Sequence, residues 1–76
     1  MSPQQHDSAV RILLKHRDFL TRIRAAREKH PGNKKRTSYA IAFQIEDILR
    51  SHDRTLLMPS SEYLKVLDSA LACLSE

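Results

Sequence analysis

One glycine, one cysteine and no tryptophan occur in this chain of 76 residues, and each scarcity removes a class of protein. Cys73 has no second cysteine to pair with, so the disulfide-stapled design of small secreted domains is excluded and a reducing, cytoplasmic setting is expected. Gly32 alone cannot build a glycine-rich loop that cradles nucleotide phosphates. The alternating β-branched runs that strands need are absent. No apolar run approaches the roughly 20 residues that a membrane-spanning helix requires, and Met1 to Asp7 lack the apolar stretch of a secretion signal. An association with membrane is therefore not expected.

Catalytic and metal-binding patterns are missing too. His6, His16, His30 and His52 show no paired ligand spacing, so neither a metal nor any other cofactor is expected. Serines, histidines and aspartates are present, yet none falls in a nucleophile elbow or a metal-hydrolase helix. The chain reads as a protein that is not an enzyme and acts by binding.

What remains is helical periodicity. Placing residues at 100° steps gathers Ala9, Ile12, Leu13, His16, Phe19, Leu20 and Ile23 on one face, which predicts a long first helix over about 9–29. Asp7 or Ser8 is its expected N-cap, and residues 1–7 are expected to be flexible. Pro31-Gly32 ends it, because proline disfavours helical geometry in His30 and glycine permits a turn. A second helix is predicted over about 38–52, capped by Thr37 or Ser38, with Ile41, Ala42, Ile45, Ile48, Leu49 and His52 facing inward. A third is predicted over about 61–74 behind Ser60, with Leu64, Leu67, Leu71 and Leu74 inside. Leu56, Leu57 and Met58 in the preceding connection read as a plug over the core.

These elements predict an all-α, three-helix single domain. A chain of this size obtains only about 3–5 kcal/mol from its core, so a second subunit is the expected staple. Tyr63, Val66, Ala70 and Cys73 widen the apolar arc of the third helix to roughly 160°, beyond the ~100° that one packing partner covers. A homodimer is expected, with Val66, Ala70 and Cys73 at its interface.

Charge points to the partner. Residues 1–36 carry ten Lys/Arg against three acids, a net of +7, and residues 37–76 carry three against six, a net of −3; together they give the chain's +4. An anionic partner for the first half follows. Arg11, Lys15, Arg22 and Lys29 fall on one stripe of the first predicted helix, as contacts for phosphates or for an acidic protein surface. Lys34, Lys35 and Arg36 lead into the second helix, where Tyr39 and Phe43 lie one turn apart, away from the Ile41–Ile45–Ile48 face. Cations beside a helix N-terminus can dock an anion, and adjacent aromatics can anchor a protein or stack on bases.

A helix-turn-helix is rejected. The connection from Asp53 to Pro59 is too long and lacks glycine. The helix that would enter the groove offers only Lys65 against Glu62, Asp68 and Glu76. The favoured reading is a small regulatory or inhibitory protein whose basic half docks on an acidic protein surface through Lys34, Lys35, Arg36, Tyr39 and Phe43. The alternative is a nucleic-acid-binding protein that contacts phosphates with little sequence readout.

Overall fold

The computed structural model describes residues 3–75, which form four helices and no strand: α1 (Pro3–Lys15), α2 (Phe19–Lys29), α3 (Lys34–His52) and α4 (Ser60–Ser75). The all-α expectation holds, whereas the single long first helix does not exist. It divides at His16–Asp18. The His16 N–H is shared between the carbonyls of Ile12 (3.0 Å) and Leu13 (3.1 Å), and the Phe19 N–H returns to the His16 carbonyl at 3.3 Å. Helical hydrogen bonding resumes from Arg22 N to Asp18 O at 2.9 Å.

Burial explains the division. A straight helix over 9–29 would be about 32 Å long at 1.5 Å per residue, so shorter neighbours would leave part of its apolar face uncovered. Bending the chain lets α1 bury Ala9, Val10 and Leu13 against α3 and α4, while α2 buries Phe19, Ile23 and Ala26 against α3. Tertiary packing outweighs the intrinsic helix propensity of three residues that contain neither glycine nor proline. The start of α1 also lies earlier than predicted. Pro3 to Asp7 belong to the helix, which suits a proline in a first turn; Met1 and Ser2 lie outside the described residues.

The turn after α2 follows the sequence signal, with Gly32 at φ +79°, a conformation that L side chains rarely adopt. Directly after it, α3 begins four residues ahead of the predicted start. Asn33, not Thr37 or Ser38, is the N-cap, and its side chain accepts from the Arg36 N–H at 3.0 Å. Thr37 instead donates its hydroxyl to Asn33 O (2.8 Å) and His30 O (3.1 Å), fastening α3 to the end of α2.

α3 is the central post, packed on each of the other three helices. Its buried residues, Ile41, Ala42, Ile45, Ile48 and Leu49, are those the periodicity selects, except that His52 is exposed at the helix end. α4 is rotated from expectation. Tyr63, Val66, Leu67 and Ala70 are buried, Leu64 and Leu71 are only half-buried, and Leu74 is exposed. The reason is that α4 packs on both α1 and α3, so the Tyr63, Val66 and Ala70 side of its apolar arc is covered within one chain. Val66 and Ala70 are 0 % exposed and cannot form the predicted dimer interface; Cys73 alone of that set reaches the surface. In the 53–59 connection Leu56 is buried as a plug, and the buried Tyr63 hydroxyl donates to its carbonyl at 3.5 Å, while Leu57 stands out in solvent.

Candidate partner-binding groove

Because α2 turns back along α3, the two helices enclose a groove of about 730 Å³. Small side chains line part of it: Ala25 and Ala26 from α2 and Ala40 from α3. Tyr39 and Phe43 line it as well, one turn apart on α3 and 57 % and 62 % exposed. They sit off the Ile41–Ile45–Ile48 face, as the sequence predicts, and they are not consumed by packing within the chain. A second hollow of about 550 Å³, with Glu46, Asp47, Arg50 and Arg54 in its walls, shares Phe43 with the first. Phe43 therefore stands at the junction of two concave surfaces.

The candidate cations divide into four groups. Lys29 and Arg36 line the groove beside the aromatics, both exposed. Arg22 lines it too but is already engaged. Its Nε donates to Gln44 Oε1 at 2.7 Å and its Nη2 to Asp47 Oδ2 at 2.6 Å, so it clasps α2 to α3. An ion pair this exposed is worth only about 0–1 kcal/mol, and with the Gln44 contact it joins the two walls of the groove. Arg11 and Lys15 lie on α1, beyond the break, and do not line the groove. The four-residue basic stripe is thus divided, since it depended on one continuous helix.

Lys34 and Lys35 form the exposed first turn of α3 rather than a loop, close in sequence to the groove but outside its lining. The anion dock predicted at this helix start is reduced, because the Asn33 side chain already occupies the Arg36 N–H. Sequence reasoning missed the alanines, His30 and Gln44 of the groove. The alanines carry no chemical signal of their own, and the closeness of α2 to α3 here depends on the break at His16–Asp18.

Two further side-chain pairs join distant segments. His6 Nε2 lies 2.9 Å from Ser69 Oγ and ties α1 to α4. Ser69 sits inside a helix, where backbone N–H groups are turned into the helix's own hydrogen bonds and offer no oxyanion hole. His16 Nδ1 lies 3.4 Å from His52 Nε2, with ring centroids 5.7 Å apart and the rings nearly perpendicular. Among the described residues no group of three or more His, Cys, Asp or Glu could hold a metal, and no helix is long and apolar enough to cross a membrane. Comparison with known proteins finds no matching family model, no similar characterised protein and no similar solved structure.

Proposed function

We propose that this protein is a small, non-enzymatic regulator or inhibitor that occupies an acidic surface of another protein through the α2–α3 groove. The observation that carries the reading is the exposed pair Tyr39 and Phe43 beside small apolar lining residues and the cations Lys29 and Arg36. Aromatic side chains that enter a partner's apolar pocket supply most of the energy of many interfaces, and surrounding charges guide approach and orientation. The lone cysteine is compatible with a reducing cytoplasm as the place where this happens.

Binding to a nucleic-acid backbone is the second reading, favoured by the exposed Lys34 and Lys35 and by the capacity of exposed rings to stack on bases. The Asn33 cap weighs against it, because it fills part of the α3 N-terminus where a phosphate would sit; the ion pairs Arg22–Asp47 and Arg50–Glu46 beside Phe43 favour neither reading.

The two readings demand different responses from the same residues. For a protein partner, Tyr39→Ala or Phe43→Ala costs on the order of 2 kcal/mol, about 30-fold in affinity, while replacing Lys34, Lys35 and Arg36 by alanine mainly slows association. For a nucleic acid, the triple alanine variant lowers the slope of log affinity against log salt by up to about three units, at roughly 0.9 per lost duplex contact. Retention on DNA or RNA at micromolar concentration near physiological salt, with that change of slope, overturns the proposal.

A further inference from the structure

We infer that the α2–α3 groove takes one kind of occupant, a single amphipathic helix of a partner protein, about two to three turns long, apolar where it meets Tyr39 and Phe43 and acidic where it meets Lys29 and Arg36. The inference rests on the docking reading and narrows it from a surface to a segment.

Backbone chemistry is the first argument. Both walls are helices, whose N–H and C=O groups are spent on their own hydrogen bonds, so the groove has no sheet edge to offer. An extended peptide laid there would leave the backbone groups it buries unpaired, whereas a helix brings them already paired.

Shape is the second. The lining runs from Arg22 to Lys29 on α2 and from Arg36 to Gln44 on α3, about 10 and 12 Å at 1.5 Å per residue. That length takes apolar side chains at positions i, i+3 or i+4, and i+7 of a guest helix. Ala25, Ala26 and Ala40 keep part of the lining thin, which lets a third helix axis come close. Tyr39 and Phe43 offer that helix two aromatic residues that are more than half exposed.

Charge is the third. The lining holds Arg22, Lys29 and Arg36 and no Asp or Glu. Asp47 compensates Arg22. Lys29 and Arg36 are exposed, and among the described residues neither is in an ion pair. They flank the turn between α2 and α3, so the uncompensated positive charge lies at that end of the groove. A guest helix with its acids at one end is therefore held in one direction and one register.

The test pans a random peptide library displayed on phage, with inserts of about 16 residues (some 24 Å when helical), against the full chain. Enriched peptides are synthesised and measured by fluorescence anisotropy and circular dichroism. The expected set shares the i, i+3 or i+4, i+7 apolar spacing with acids toward one end, and its members gain helix on binding. Phe43→Ala weakens them about 30-fold. The double variant Lys29→Glu with Arg36→Glu, both at exposed positions, stays folded and enriches basic peptides instead; Arg11→Glu, on exposed α1 surface outside the groove, changes nothing. No enriched set of this pattern, binding without helix gain, or an acidic preference that survives the double charge reversal overturns the inference. So does a groove filled by a second copy, seen as a dimer that Phe43→Ala converts to monomer, or by DNA whose retention Phe43→Ala abolishes. If panning fails while a folded partner is still captured through Phe43, only this inference falls; if peptides bind as expected but no protein partner depends on Phe43, the docking reading falls instead.

Discussion

The chain has two phenylalanines, and they should respond in opposite ways to the same truncation. Phe19 is 3 % exposed and stands at the start of α2, where the chain turns back onto α3. Phe→Ala in a well-packed core costs about 3–5 kcal/mol. That equals the ~3–5 kcal/mol a core of this size supplies, so Phe19→Ala should bring the unfolding free energy close to zero and leave about half of the molecules unfolded at 25 °C. Phe43 is 62 % exposed, so about 38 % of its surface is covered (100 − 62). Full burial of a phenylalanine side chain is worth ~1.5–3 kcal/mol, and the covered fraction of Phe43 therefore ~0.6–1.1 kcal/mol. At ~4–8 °C per kcal/mol for a domain of this length, Phe43→Ala should lower the melting temperature by ~9 °C at most. Thermal and urea unfolding followed by circular dichroism compares the two directly. A Phe43→Ala chain that collapses would make the ring structural and remove the groove's principal anchor. A Phe19→Ala chain that melts like the wild type would contradict the packing of α2 and the break that allows it.

Three further outcomes follow from the same structure. Asn33→Ala removes the accepting cap of α3 and should cost ~1 kcal/mol, within a range of ~0.5–2, measured by urea denaturation. The hydroxyl and backbone N–H of Thr55 hold the Asp53 carboxyl below its ordinary value of 3.8. A carboxylate depressed in the folded state adds stability above its ordinary value and loses it as pH falls through the folded one; melting below about pH 4 should thus be less acid-sensitive in Thr55→Val than in the wild type. Light scattering should give the monomer mass of 8.8 kDa, because α1 and α3 already cover the Val66 and Ala70 side of the α4 arc that called for a second subunit; a dimer would have to use a face other than Val66 and Ala70.

How far the sequence reached depends on what each residue encodes locally. The inward face of α3 was legible because Ile41, Ile45 and Ile48 recur at helical spacing with polar neighbours between them. The same contrast set Tyr39 and Phe43 apart from that face, and the structure shows them exposed. The break at His16–Asp18 carries no such mark, since none of its residues disfavours a helix strongly and the apolar stripe runs straight through it. Only the demand that both halves reach α3 decides it. The face of α4 was misjudged for a related reason. Leu64 and Leu71 belong to the leucine stripe that periodicity favours as core, but packing on both α1 and α3 turns the helix so that Tyr63, Val66, Leu67 and Ala70 are buried. Arg22 looked like one member of a surface stripe because its partners, Gln44 and Asp47, lie more than twenty residues away.

The central claim, that the α2–α3 groove grips an acidic protein surface, is tested most directly by affinity capture of a defined partner with wild-type protein and with Phe43→Ala, each with and without nuclease. The account predicts a protein partner that survives nuclease, presents an acidic surface, and is bound about 30-fold more weakly by Phe43→Ala while that variant remains folded. A partner that disappears with nuclease, or one that binds folded Phe43→Ala as tightly as the wild type, would contradict it.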